Sequence, residues 1–471
     1  MPARPRLCRT GGISYPPLSR VINVYDILYG TGLALSAPFW LARIRMRRKV
    51  LRALRERMGR ESGPQEREGP PVMIHAVSLG EINAARAMIQ GLRDARPEIR
   101  FLISVTTDTG YARGKELYGS DPRVTLIRYP LDFTSAIDRV LDAFRPRVVV
   151  LMELEVWPNF VLQCERRGIP VMLVNGRLTS GSFRNYRLGG PLVRRMFRRL
   201  KIVCAQERDY ADRFVALGAP ADRVRVTGTM KFDTAQIADS INGTDELAHD
   251  VGLHPAGEPV WVCGSTGPGE EAILLGVYRE LLKAHSSLRL VLVPRKPERF
   301  DEAAELIRAA GFELVRRSET RIANCKLQIA NCKLEAAVIL GDTMGELRKF
   351  YSVADVVFVG RTLVDLGPRQ HGSDMIEPAA LGKPTIVGPF TGNFAEVMNQ
   401  FRTASAMREV ADANELAGAV RDLLGDSEVA NQMGSRAREV VRGAQGATSR
   451  HVELILGELD RALNQDQRVE V

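Results

Sequence analysis

The chain of 471 residues is too long for one hydrophobic core and points to two domains with additions. Its 66 Lys and Arg against 56 Asp and Glu leave a net charge of +10, which favours anionic partners: a headgroup surface, a phosphorylated substrate or nucleic acid. Cys8, Cys164, Cys204, Cys263, Cys325 and Cys332 form no CxxC pair, and the histidines form no HxxxH pattern. No zinc site is expected, and the cysteines read as buried thiols in a reducing compartment.

Residues before Arg20 read as an unstructured leader. The uncharged run Ile27–Ala42, "ILYGTGLALSAPFWLA", is shorter than the ~20 residues of a spanning helix and is followed at once by "RIRMRRKVLRALRER". The pair predicts an N-terminal membrane anchor, shallow or marginally spanning, with the basic block on the cytoplasmic face against anionic headgroups. Leader, anchor and basic helix together occupy 1–59.

After the polar break Arg60–Pro71, short apolar runs alternate with helical patterns. Val72–Val77, Phe101–Val105, Val124–Ile127, Val148–Met152, Val171–Val174 and Ile202–Ala205 read as strands of a parallel sheet covered on both faces. The first strand runs into "HAVSLGE", ahead of the helical stretch Ile82–Leu92. A glycine-rich turn there would hold an anion, whereas Glu81 brings a carboxylate. Glu81 either satisfies the helix dipole, which would keep it ionised, or does chemistry. "LMELEVWPNF" follows the fourth strand, and alternation would put Glu153 and Glu155 on one side, where one of them can meet Glu81; their other reading is as helix caps.

"NGRLTSGSFRNYR" supplies Arg177, Arg184 and Arg187, suited to an anionic acceptor or to a solvated face. In "GTMKFD", Lys231 lies between Met230 and Phe232, where a lysine needs a reason such as a developing negative charge. These elements make an N-terminal domain over 60–232, and the polar stretch 233–258 reads as a linker. The pattern then restarts over 259–445 with "PVWVCGSTGPGEE" and strands at Arg289–Val293, Ala337–Leu340, Val356–Val359 and Pro384–Val387. Arg295 and Lys296 follow a strand directly, where an arginine can fork onto phosphate or carboxylate or make a surface salt bridge. Asp374–Glu377 opens a short helix whose glutamate can accept from ribose hydroxyls while backbone amides hold phosphate. The doubled seven-residue unit in Ile322–Glu335 reads as a surface insertion, and 446–471 as a C-terminal helix.

Taken in order, "HAVSLGE", "MELEVWPNF", "NGRLTSGSFRNYR", "GTMKFD", "GSTGPGEE", "PRKPERF", "GDTMGEL", "IEPAALGKP" and "GPFTGNF" resemble the motifs of 3-deoxy-D-manno-octulosonic acid (Kdo) transferases. The resemblance implies an α/β fold of the GT-B type: two Rossmann-like domains whose parallel sheets face a central crevice. It implies transfer of Kdo from CMP-Kdo to a lipid A precursor at the cytoplasmic face of the inner membrane, with inversion and with neither metal nor cofactor. Glu81 matches the general base, and Glu153 and Lys231 match residues credited with transition-state stabilisation. The CMP contacts map onto Pro294, Arg295, Met344, Gly345, Glu346, Asp374, Met375, Ile376 and Glu377. This chain departs from the family where it has Arg295-Lys296-Pro297 for Arg-His-Pro, and where "GRTLVDLGPRQHGSDMIE" is longer than the usual segment and carries Asp374 for Asn. The alternatives are a related enzyme using another nucleotide sugar, such as a UDP-hexosamine, or a basic scaffold for membrane or nucleic acid. No RNP-type aromatic motif or recognition-helix pattern supports nucleic acid as a partner.

Overall fold

Fourteen short parallel strands form two separate sheets in the computed structural model, which describes residues 23–59, 71–254, 257–322, 337–367 and 370–469. The chain divides into two units, 1–230 with 446–471, and 231–445. This division falls differently from the boundaries read in the sequence. The stretch 233–258 carries a helix, Thr244–Asp250, whose Leu247 and Ala248 enter the core of the second unit, so it is no linker. The C-terminal helix Ala447–Val469 returns to the first unit and buries Ala447, Val452, Ile455 and Leu459 in its core.

In the first unit the strands are β1 (Val72–Ala76), β2 (Phe101–Val105), β3 (Val124–Arg128), β4 (Val148–Met152), β5 (Val171–Gly176), β6 (Ile202–Ala205) and β7 (Val224–Val226), in the spatial order β3-β2-β1-β4-β5-β6-β7. β4 shows why the strands read as unbroken apolar runs. Val149 and Leu151 enter the core on one face, and Val148, Val150 and Met152 enter that on the other, so both sides of the pleat are covered. The order reverses between β1 and β4, and their carboxyl ends therefore flank the topological switch point, where open α/β sheets bind ligands.

The second unit repeats the design with β8 (Val260–Thr266), β9 (Arg289–Pro294), β10 (Leu314–Arg316), β11 (Val338–Leu340), β12 (Val356–Val359), β13 (Thr385–Val387) and β14 (Arg408–Glu409), ordered β10-β11-β9-β8-β12-β13-β14. Its switch point lies between β8 and β12. The sequence reading had no β7, β10 or β14. These are two- or three-residue strands, β7 and β14 at sheet edges with exposed residues, and an edge needs no apolar run.

Ahead of the first sheet stand helices α1 (Val24–Leu41) and α2 (Ile44–Glu56). The spanning form of the predicted anchor does not hold: among the described residues no helix is long and apolar enough to cross a membrane. The 18 residues of α1 rise only about 27 Å, and its first turn is fastened to the first unit. Asn23 caps α1 and donates to Thr134 Oγ1 (3.0 Å) and Asn159 Oδ1 (2.7 Å), and Asp26 accepts from the Thr134 amide (2.8 Å) and hydroxyl (2.6 Å). Asp26, just ahead of the apolar run, is thus the residue that moors the helix. The leader before Arg20, the doubled unit over 323–335, and Cys8, Cys325 and Cys332 lie outside the described residues, while Cys164, Cys204 and Cys263 are buried free thiols.

Candidate active site

In the first unit, β1 ends at Ala76 and helix α3 (Leu79–Ala95) begins after the cap residue Ser78. Ser-Leu-Gly-Glu reads as a capping box, and the side chain of Glu81 does reach back over the turn. It accepts from the Val77 amide (2.9 Å) and the Ser78 hydroxyl (3.0 Å), while Ser78 Oγ accepts from the Glu81 amide (3.3 Å). Glu81 is only 9 % exposed. Burial pushes its pKa up from 4.5 to about 7; the Val77 amide opposes the rise, and the charges of Glu153 and Glu155 add to it. The carboxyl is therefore not held firmly ionised by the helix dipole, as its position in sequence suggested. Desolvation wins, and the group is poised near neutrality.

Glu153 and Glu155 leave the other side of the switch point, after β4. The strand stops at Met152 and Glu153 adopts a left-handed backbone with φ of 55°, so simple alternation does not describe the pair. The turn is held by the Glu153 amide donating to the Val174 carbonyl (3.0 Å). A non-glycine residue in this conformation carries strain that surrounding structure must hold in place. Glu155 accepts from Trp157 Nε1 (3.0 Å), and burial raises its pKa against the pull of that bond and of Arg57. The structure thus gathers Glu81, Glu153 and Glu155 into one electrostatic cluster. Behind it, buried His75 bonds Ser104 through Nδ1 and stacks on Tyr129 with ring centroids 3.8 Å apart, and burial lowers its pKa to about 3, which keeps it neutral. Arg184 and Arg187 are exposed on the helix Ser180–Arg187, and Arg177 is half-buried at its approach.

The second unit collects the cations and the donor-type turns. Lys231 Nζ donates to Glu396 Oε1 and to the Asn393 carbonyl, each at 2.8 Å, and sits 4.8 Å over the Phe394 ring. Its side chain is 30 % exposed, while the Glu396 side chain is almost fully buried. The apolar neighbours that made Lys231 conspicuous are real, since Met230 and Phe232 are buried, but its counter-ion comes from "GNFAEV". Glu396 escaped the sequence reading. The signal available was that a lysine in an apolar setting needs a carboxylate.

Pro294 closes β9, and Arg295 follows, exposed, with its amide bonded to the Thr266 carbonyl (3.0 Å). The charge of Arg295 acts on Glu377, whose pKa burial raises to about 7 with help from Asp374. Asp374 Oδ1 accepts from the Ile376 amide (2.9 Å) and so fixes the start of the helix Ile376–Ala380, with Met375 and Ile376 buried beneath it. Arg295 and Lys231 act on Asp374, and Arg295 and Asp374 act on Glu377, within this unit, to which Lys231 belongs rather than to the N-terminal domain in which the sequence placed it. Glu346 stands apart in its bonding. Its carboxylate is forked by Arg317 at 3.0 and 3.2 Å and bonded by Thr343, which leaves the backbone of Met344 and Gly345, with Met344 67 % exposed, as the part of that turn open to a ligand.

Two glutamates of "GSTGPGEE" organise this face. Glu270 accepts from the amides of Gly267 (2.8 Å), Arg361 (2.6 Å), Thr362 (2.9 Å) and Leu363 (2.9 Å), tying the turn after β8 to that after β12. Glu271 pairs with Arg299 at 2.6 and 3.0 Å. A doubled glutamate after a glycine turn was the visible signal; its use as a strap across the switch point needed the fold.

A buried acid at the switch point of one sheet, and cations beside a helix start in the other unit, suit group transfer from an anionic donor on a GT-B-like α/β fold, the arrangement of a glycosyltransferase. Solved structures of like fold include a glycosyltransferase from Rickettsia africae (TM-score 0.53, 14% identity, 84% of this chain and 99% of that one). Another is the UDP-GlcNAc 2-epimerase of Neisseria meningitidis bound to UDP-GlcNAc (TM-score 0.52, 15% identity, 82% and 100%). Family models for 3-deoxy-D-manno-octulosonic-acid transferase and for group 1 glycosyl transferases match residues 52–234 and 274–440. The 3-deoxy-D-manno-octulosonic acid transferases of Haemophilus influenzae and Bordetella pertussis are each 33% identical to this chain, covering 83% and 82% of it and 88% and 86% of their own lengths. The chain belongs to the 3-deoxy-D-manno-octulosonic acid transferase family.

Proposed function

We propose that the protein transfers Kdo from CMP-Kdo to a lipid A precursor in lipopolysaccharide core biosynthesis, as an inverting transferase that uses no metal or cofactor. The observation that carries this reading is Glu81, a carboxyl at the β1/β4 switch point whose pKa sits at about 7. A hydroxyl of the acceptor sugar gives its proton to Glu81 while its oxygen forms the bond to the anomeric carbon of Kdo. The bond from that carbon to the CMP phosphate breaks, and CMP leaves on its phosphate oxygen, which needs cations and backbone amides rather than a proton. Arg295, the Met344–Gly345 backbone and the Asp374–Glu377 helix start are the groups assigned to CMP, with Glu346 acting through Arg317 to fix its turn. Glu153 and Lys231 are assigned to charge stabilisation in the transition state.

Surface attachment of α1 and α2 at the cytoplasmic face of the inner membrane belongs to the same proposal. α1 exposes Ile27, Leu35, Phe39 and Leu41, and α2 exposes Arg48, Arg52 and Arg55, the composition of an interfacial pair. Release of CMP from CMP-Kdo that depends on a lipid A precursor tests the assignment. Turnover with UDP-hexosamine and none with CMP-Kdo would replace it with the related UDP-sugar reading.

A further inference from the structure

A cavity of about 470 Å³ opens in the first unit between α1, α2 and the segment Tyr129–Phe133, within the range of roughly 300–1,000 Å³ typical of small-ligand sites. Most of its wall is apolar, with Leu28 and Leu33 from α1 and Val50, Ala53 and Leu54 from α2, while Tyr29, Ser36 and Asp132 add polar groups. Its other end is polar and leads to the acid cluster. There Trp157 donates to Glu155 (3.0 Å), Arg57 Nε donates to the Tyr129 carbonyl (2.7 Å), and Tyr129 stacks on His75 of the strand that delivers Glu81.

We infer that this slot seats one acyl chain of the acceptor, with Arg57 and Trp157 at the mouth where the head group passes to Glu81. The inference rests on the proposed lipid acceptor. The five aliphatic side chains outnumber Tyr29, Ser36 and Asp132, so a sugar ring would leave most of its hydroxyls without partners there, and an acyl chain suits the slot better. The apolar residues exposed on α1 give a chain a route from a bilayer surface, and the arginines of α2 complement the phosphates of an anionic amphiphile. A bulk phospholipid would fill the walls equally well, but it gives no reason for the mouth to open on the residues that bond Glu155 and pack on His75.

Gly32 provides the test, because it lines the cavity and a Cβ added there meets no atom within 4 Å. Gly30, on the same helix and equally open, does not line it and serves as the control. Transfer from CMP-Kdo is measured with the full-length chain on acceptors whose acyl chains shorten stepwise. In the unmodified enzyme and in Gly30→Phe, the acceptor KM rises by up to about fourfold per methylene removed, until the slot is empty. In Gly32→Phe the KM for the longest acceptor rises at least about tenfold, the dependence on chain length flattens, and the KM for CMP-Kdo stays unchanged. A chain-length dependence in Gly32→Phe equal to that of the unmodified enzyme overturns the inference, as does an equal rise with both variants, which would report binding of bulk lipid. If the unmodified enzyme transfers Kdo with a KM indifferent to chain length, the proposed function stands and the acyl seat does not.

Discussion

Replacing Glu81 by Gln keeps the shape of the side chain and an acceptor for the Val77 amide while removing the ionisation. In the folded protein burial raises the carboxyl pKa from 4.5 to about 7. Between those values the native state binds the proton that the unfolded state has released, so stability falls as pH rises through this window. The displacement corresponds to about 3 kcal/mol once the group is fully ionised in both states, and to nothing where both states are protonated. Glu81→Gln should therefore match the unmodified protein near pH 4 and be more stable by about 3 kcal/mol near pH 8. Urea unfolding followed at several pH values measures the gap. Buried carboxyls remote from the cluster cancel in the difference, Glu153 and Glu155 enter it through their charges on Glu81, and a gap independent of pH between 4 and 8 would refute the idea that burial raises the Glu81 pKa. The gain in stability should accompany loss of function, because the same displacement makes the group a competent base.

The pH profile of kcat/KM should fall on its acid side with a midpoint near 7, where Glu81 takes up its proton, and steady-state rates across pH 5–9 check this. Lys231→Met removes the cation facing buried Glu396, and should lower turnover strongly and destabilise the second unit by about 3 kcal/mol in urea unfolding. Glu270→Ala deprives four backbone amides of their acceptor; it should weaken CMP binding in calorimetry and cost at least about 3 kcal/mol of stability, with Glu81 chemistry otherwise unaltered. Asn23→Ala should cost about 1–2 kcal/mol and speed hydrogen exchange of the first turns of α1, leaving that of β1 to β4 unchanged.

The sheets were legible because every central strand is buried on both faces and so is written as an unbroken apolar run. Val148–Met152 and Val356–Val359 fall where the runs placed them. Edge strands such as Arg408–Glu409 carry no such mark, since two residues of exposed ladder need no apolar side chain. The acid cluster was legible as a set of strand-end glutamates, yet the pKa of Glu81 was not: the dipole is written in the sequence, whereas the desolvation that overrides it depends on packing. Partners far apart in the chain were the least visible. Lys231 announced itself by its neighbours, but Glu396 lies 165 positions away and Asp26 meets Thr134 across 108. The spanning form of the anchor failed at the same point, because an apolar count cannot see that Asn23 and Asp26 moor α1 to the first unit.

The most direct measurement is mass spectrometry of a lipid A precursor incubated with CMP-Kdo and either the unmodified enzyme or Glu81→Gln. The expected result is an acceptor heavier by whole Kdo residues with the unmodified enzyme. Conversion should be at least about 100-fold slower with the variant, with CMP binding retained in both. An acceptor left unchanged by the unmodified enzyme, or a Glu81→Gln enzyme transferring Kdo at the full rate, would contradict the assignment of this site.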